Sequence, residues 1–222
     1  MYPSTKISYG TREFNLFGFS VKDYIFNRWR STGKFYEEPL LEKIRSLNIS
    51  GCYVDAGANQ GNHAIFFSEF CNSSEIVAVE ASGKILPVFK LNLAGSVSKP
   101  CEIYHRCLYS EIGLKANAFG GVSPENCGST TFVVTPDDSG EVGTTTLDNL
   151  LVGKDVGFMK LDIEGMELSA LEGAVETLER CRPVIVAEAL DAVAKFKLDE
   201  LFARLNYRLT YTLLKTHCWE PL

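Results

Sequence analysis

The sequence contains no C-x-x-C pair, no run of about 18 apolar residues and no surplus of basic charge. Each absence removes a class of protein. The seven cysteines, Cys52, Cys71, Cys101, Cys107, Cys127, Cys181 and Cys218, have no zinc-binding spacing, and their odd number cannot all pair within one chain. Buried, reduced thiols are therefore expected. Without a long apolar run, no membrane span is expected. Met1 to Phe19 lacks a basic patch followed by an apolar stretch, so no secretory leader is visible and a cytoplasmic setting is expected. Lysine and arginine number 22 against 28 aspartates and glutamates, a net charge of −6. Phosphate backbones are bound by clustered basic residues, so nucleic acid is not expected as a partner. Histidine is scarce: His63, His105 and His217 are the three present, none at a metal-ligand spacing, and no metal is expected. His63 follows a glycine loop and could touch a ligand or pack locally; His105 is open to both readings; His217 reads as packing with Cys218 and Trp219.

What is present is an ordinary globular composition, 45% hydrophobic and 23% charged over 222 residues, enough to build a core without disulfides or a structural metal. Val21 to Leu47 reads as helical through Tyr24, Ile25, Trp29, Leu40, Leu41, Ile44 and Leu47, broken into two pieces by Ser31-Thr32-Gly33 and Pro39. Trp29, Phe35 and Tyr36 read as exposed aromatics that a core sheet does not need. Residues 1–50 are thus expected to form a helical cap over the site, with simple packing on the sheet edge as the open alternative, and 51–222 the main domain. From there short apolar runs alternate with helical patterns. Strands are expected at Cys52 to Ala56, Glu75 to Glu80, Glu102 to Leu108, Val156 to Leu161, Pro183 to Glu188 and Tyr207 to Leu214. Helices are expected at Asn62 to Phe70, Lys84 to Ala94, Met166 to Arg180 and Val193 to Leu205. Residues 110–145, rich in Gly, Ser, Thr and Asp, read as a hairpin with loops. This alternation implies an α/β fold: a mostly parallel sheet with helices on both faces. Ligands bind such sheets at the strands' carboxyl ends, where strand order reverses, so the residues just after Ala56, Val79, Leu108, Leu161 and Ala187 should ring the site.

Two stretches carry chemistry. Asp55-Ala-Gly57-Ala-Asn59-Gln-Gly61 follows the first main strand; its two glycines let the backbone approach a ligand, and Gly61 opens a helix whose N–H groups can meet a carboxylate. A dinucleotide fingerprint would place glycine at 59 and 62, where this chain has asparagine. Glu80, 25 residues after Asp55, can accept both ribose hydroxyls of an adenosine, or can be a solvated strand cap. In Phe158-Met-Lys160-Leu-Asp162-Ile-Glu164-Gly165-Met-Glu167, three acids and a lysine crowd the end of a buried strand. Helix capping is the plain alternative there, and the Asp162–Glu164 pair could instead hold Mg²⁺, although no third ligand is evident at matching spacing. Tyr211 to Lys215 spells Y-x-x-x-K, but on a strand rather than beside a nicotinamide on a helix, and reads as coincidence.

These blocks resemble the FkbM family of methyltransferases, named for a macrolide O-methyltransferase. The resemblance runs through FYEEPLL (Phe35 to Leu41), YVDAGANQGNH (Tyr53 to His63), VAVEAS (Val77 to Ser82), TTTLDNLL (Thr144 to Leu151), FMKLDIEGMELSALEGA (Phe158 to Ala174) and RPVIVAE (Arg182 to Glu188). Ala81-Ser82 stands where a proline is common in the family, and the chain after Leu190 carries little motif content. The resemblance implies a Rossmann-like class I methyltransferase fold and an S-adenosylmethionine-dependent enzyme that methylates a hydroxyl on a glycan or small-molecule metabolite. It implies Asp55, Gly57, Asn59, Gly61, Glu80 and Asp162 as cofactor-binding residues, and Asp162 and Glu164 near the reacting centre as catalytic candidates. Two other readings stay open. One is a nicotinamide-dependent sugar oxidoreductase or epimerase, disfavoured by Asn59 and Asn62. The other is a non-catalytic binding module that keeps the cofactor fold. A nucleic-acid base methyltransferase is disfavoured because the fourth-strand motif is DIEG rather than an Asn- or Asp-Pro-Pro-aromatic clamp.

Overall fold

Short continuous apolar runs make the buried strands of the main sheet, as in Gly51–Ala56 and Ser73–Glu80; three-to-four spacing makes the helices. The computed structural model describes residues 1–135, 137 and 139–222. The chain opens with a hairpin, β1 (Ser4–Tyr9) and β2 (Arg12–Phe17), then α1 (Tyr24–Thr32) and α2 (Glu38–Ser46). β3 (Gly51–Ala56), α3 (Asn62–Phe70), β4 (Ser73–Glu80), α4 (Leu86–Ala94) and β5 (Cys101–His105) follow as regular alternation. An excursion comes next: β6 (Cys107–Leu108), β7 (Lys115–Ala118), β8 (Phe132–Thr135) and β9 (Val142–Thr145), leading into the short α5 (Leu147–Leu150). The alternation resumes with β10 (Val156–Leu161), α6 (Glu167–Glu172), α7 (Val175–Cys181), β11 (Val184–Glu188) and α8 (Ala192–Arg204), and closes with β12 (Tyr207–Leu213) and β13 (Thr216–Pro221).

The main sheet has the order β12-β13-β11-β10-β3-β4-β5. β3, β4, β5, β10 and β11 pair in parallel, and β13 runs antiparallel to both neighbours. Strand order reverses between β3 and β10, so the crevice of a doubly wound sheet opens above their carboxyl ends. This is the mostly parallel α/β fold that the class I resemblance implies. The second sheet, β6-β9-β7-β8, contains the expected hairpin, with β7 and β8 antiparallel from Lys115↔Thr135 to Ala118↔Phe132.

Three expectations are corrected. The first residues form a β-hairpin before any helix; Ile7, Phe14 and Leu16 are buried while Lys6, Ser8, Glu13 and Asn15 beside them are exposed, the period of a half-buried strand. Trp29 and Phe35, read as exposed, are 0% and 2% accessible and pack with Tyr53, Phe66 and Phe67. The sheet face over β3 and β4 is thus covered by the N-terminal segment together with α3. The stretch from Met166 to Arg180 forms two helices. Gly173 O accepts from Asp148 N, and the Asp148 carboxylate accepts from Glu176 N and Thr177 N, capping α7 and turning the chain after α6. The split of the Val21 to Leu47 stretch is as expected: Asp23 caps α1 by accepting from Phe26 N, Gly33 ends it at φ 65°, and Pro39 sits in the first turn of α2. All seven cysteines are free, five of them buried. Among the described residues, no helix is long and apolar enough to cross a membrane.

Candidate active site

A cavity of about 210 Å³ opens at the carboxyl ends of β3, β4, β10 and β11. Of the residues expected there, Gly57, Asn59, Glu80, Asp162 and Glu164 line it, while Asp55 on β3 and Gly61 at the end of the loop do not. Gly57 has φ 82°, and a Cβ there would fall on the carbonyl oxygen of Asp162, so the first loop and the β10 turn touch backbone to backbone. Asn59, itself at φ 48°, donates its backbone N–H to Glu80 Oε2 at 2.8 Å, and Ser82 N donates to Glu80 Oε1 at 2.6 Å. Glu80 is therefore no solvated cap: it is 7% accessible, and burial pushes its carboxyl up to about 7. Asp55 is wholly buried, with no hydrogen-bond partner of good geometry on either carboxylate oxygen; burial raises its pKa, opposed by the charges of Lys160 and His63.

β10 delivers the second group. Lys160, 3% exposed, donates to Asp162 Oδ2 at 3.0 Å. Burial alone would lower the lysine and raise the aspartate; the pair's attraction, with Asp55 and Glu37 also acting on Lys160, wins and moves both the other way. The three acids of the motif separate by role. Glu167 spends its oxygens on Ile163 N (2.8 Å) and Gly165 N (3.0 Å), holding the turn, whereas Asp162 and Glu164 face the cavity. Glu164 reaches it from a left-handed backbone, φ 54°. Glu188, at the end of β11, joins them: one carboxylate oxygen from each of Asp162, Glu164 and Glu188 lies within 4.8 Å of the others. Burial first, and then Asp162, push Glu164 and Glu188 each up to about 7. The three acids are close enough to share a divalent cation, but Lys160 already engages Asp162 Oδ2, so an ion would compete with an ammonium.

The N-terminal segment supplies the remaining wall. Tyr24 and Tyr36 line the cavity edge to face, ring centroids 5.9 Å apart. Glu37, at φ 56°, brings Oε2 within 3.2 Å of His63 Nε2, and the histidine holds that carboxyl below its usual range although burial acts to raise it. Asn62 ties this wall to α3: its Oδ1 accepts from Trp29 Nε1 and Tyr36 N, and its Nδ2 donates to Tyr36 O, each at 2.9 Å. Asp23, fully buried, accepts from Gln60 Nε2 (2.8 Å) and Cys127 N (3.2 Å), joining α1, the first loop and the 126–130 segment that roofs the cavity.

The sequence points to no role for Glu188, places Tyr36 and Glu37 only within a capping segment, and shows Lys160 only as part of a crowd. Glu188 had a signal, since it directly follows Ala187 at a strand's carboxyl end. Glu37 had none, because only the αL turn between α1 and α2 directs it inward. His63 lines the cavity; His105 Nε2 donates to the Ala81 carbonyl at 3.1 Å; His217 packs in β13, 3.0 Å from Thr212 Oγ1. Tyr211 lies on β12, as the coincidence reading of Y-x-x-x-K requires.

The sequence profile of the methyltransferase FkbM domain matches residues 55–209, which takes in the first loop, Glu80 and the β10 motif. No curated protein matches the chain. Among solved structures, the methyltransferase FkbM from Methylobacillus flagellatus KT shares the fold with TM-score 0.56 at 17% identity, over 77% of this chain and 43% of that one. The present chain thus spans less than half of that protein's length. A candidate RNA methyltransferase from Pyrococcus horikoshii superposes with TM-score 0.50 at 12% identity, over 83% of both chains. At these identities the likeness is one of fold. The profile match over most of the chain goes further: this protein belongs to the methyltransferase FkbM domain family.

Proposed function

We propose that the chain binds S-adenosylmethionine in this cavity and transfers its methyl group to a hydroxyl of a glycan or small-molecule metabolite. The observation that carries the reading is the single cavity into which both Glu80 and the Asp162–Glu164–Glu188 carboxylates open, one end suited to a ribose and the other to a proton. Three features fit the cofactor. Glu80 offers a buried carboxylate for two ribose hydroxyls. Asp55, wholly buried on β3 just before the loop and outside the cavity lining, adds a carboxyl group behind the place of a cationic cofactor. The Gly57–Gly61 loop, with Asn59 turned back on Glu80, leaves its backbone as the wall of the cavity. Asp162, held ionised by Lys160, faces the same space. When bound, the cofactor supplies a methyl group on a sulfonium, a good leaving group.

The chain's own work is to align the acceptor oxygen and take its proton. Alignment contributes about 7–11 kcal/mol in well-oriented systems, and a positioned base about 10²–10⁴-fold in rate. Asp162 is a poor base because Lys160 depresses it. Glu164, raised to about 7 with Glu188 beside it, is matched to neutral pH and is assigned the proton, with Asp162 orienting. Tyr24, Tyr36 and Glu37 are assigned to the acceptor, so residues 1–50 act as the cap. An acidic wall suits an uncharged hydroxyl compound better than a phosphate backbone. The absence of a basic surplus supports the same preference, and a cytoplasmic setting fits the reduced cysteines. Release of S-adenosylhomocysteine from S-adenosylmethionine in the presence of a panel of methyl glycosides tests the reading. Turnover that is lost in Glu164→Gln is expected; binding of the cofactor without turnover on any hydroxyl acceptor would favour the non-catalytic module.

A further inference from the structure

We infer that Lys160 is a further catalytic residue, donating a hydrogen bond to the acceptor oxygen while that oxygen gives up its proton and takes the methyl group. The inference rests on the methyl-transfer reading. Lys160 comes from the last turn-facing positions of β10, is 3% exposed and lines the cavity. An ammonium carries three N–H donors. Among the described residues one of them is used, toward Asp162 Oδ2 at 3.0 Å. Asp55 sits opposite in register on β3, but no ion pair within 4.0 Å joins them, and neither Asp55 oxygen takes a hydrogen bond from Lys160. Protein has left the other two donors unfilled, and the cavity is the space open to them. A buried ammonium with spare donors is costly unless something else completes its shell.

The position suits an oxygen that becomes negative. Asp162 links the two halves: one of its oxygens holds Lys160, and its carboxylate lies within 4.8 Å of those of Glu164 and Glu188. A hydroxyl oxygen held by Lys160 therefore has a carboxylate at hand for its proton. In the step, the acceptor O–H bond breaks and its proton passes to Glu164. The oxygen's electron pair forms the new O–C bond, the C–S bond breaks, and its pair stays on sulfur. A sulfonium, an alcohol and a carboxylate become a thioether, an ether and a carboxylic acid, and Lys160 remains an ammonium throughout. Its donated hydrogen bond stabilises the charge that the oxygen carries between losing the proton and gaining the carbon.

The test uses the full chain with methyl α-D-glucopyranoside and methyl α-L-rhamnopyranoside as acceptor probes. Melting temperature, S-adenosylhomocysteine affinity by calorimetry, and kcat by S-adenosylhomocysteine release are measured for wild type, Lys160→Gln and Lys160→Arg. Lys160→Gln is expected to bind S-adenosylhomocysteine as wild type does and to lose about 100-fold in kcat. Lys160→Arg keeps a counter-charge for Asp162 while displacing the donor, and is expected to lose roughly tenfold or more; it carries the test if the glutamine variant does not fold. A wild-type rate in either folded variant overturns the inference and leaves the methyl-transfer reading standing. Loss of S-adenosylhomocysteine affinity in step with rate also overturns it, because Lys160 would then serve the cofactor or the fold. A wild type that methylates neither glycoside removes both together.

Discussion

Glu80, buried, and Glu164, half-buried, are both acids pushed to about 7, yet they have opposite tasks, and their partners explain why. Glu80 is held by two backbone amides and is poised to accept hydroxyls, whereas at Glu164 burial and the acids Asp162 and Glu167 outweigh Lys215 and Lys160, which leaves it poised to accept a proton. Glu80→Ala should weaken S-adenosylhomocysteine binding by about 1.5–3 kcal/mol, the worth of charge-assisted hydrogen bonds; calorimetry that finds no change would remove Glu80 from the ribose. Glu164→Gln should cut turnover at least about tenfold with affinity for S-adenosylhomocysteine little altered. Because the base must be ionised, wild-type turnover should rise with pH through about 7 and then level off. A pH-independent rate between about 5.5 and 8 would argue against a carboxylate base. At this scale the sequence is informative where a residue's direction follows from its strand position. Gly57, Asn59, Glu80, Asp162 and Glu164 line one cavity, while Asp55 and Gly61 fall outside its lining. Glu167 departs because capping its own turn satisfies it, and capping was the plain alternative for that motif.

The N-terminal segment is where reading elements from sequence succeeds in part. Gly33 and Pro39 mark the helix break correctly, since their backbone demands are local. The β1–β2 hairpin went unread because its inward residues, Ile7, Phe14 and Leu16, straddle a turn. The burial of Trp29 and Phe35 was hidden because it depends on the far wall contributed by α3. This changes the expected effect of truncation. Removing residues 1–34 takes Trp29, Phe14 and Leu16 out of the cluster that covers β3 and β4, so the shortened chain should fail to fold cooperatively instead of merely losing its acceptor. Trp29→Ala alone should cost about 3–5 kcal/mol, read as a lowered denaturation midpoint. A truncated chain that melts like the full one would show that the segment is a detachable cap.

For the molecule as a whole, the acids around the cavity make stability depend on pH. Glu80, Glu164, Glu167 and Glu188 all rise from an ordinary 4.5 to about 7 on folding. Between those values the folded chain binds more protons than the unfolded one, so their contribution is fully present below about 4.5 and is lost as pH climbs through about 7. His217, whose pKa burial lowers, acts in the opposite sense, below its ordinary 6.5. The ligand-free protein should therefore melt at a lower temperature at about pH 8 than at about pH 5.5; a higher melting temperature at pH 8 would contradict the assignment of those burial effects. The arrangement stores this cost in the same place as the proposed chemistry, at the carboxyl edge where strand order reverses. What the whole account rests on is the identity of the molecule bound there, and calorimetric titration of the wild-type chain with S-adenosylhomocysteine and, separately, with NAD tests it most directly. The account predicts micromolar affinity for S-adenosylhomocysteine, roughly −8 kcal/mol, and no detectable binding of NAD. Tight NAD binding with no heat from S-adenosylhomocysteine would contradict it.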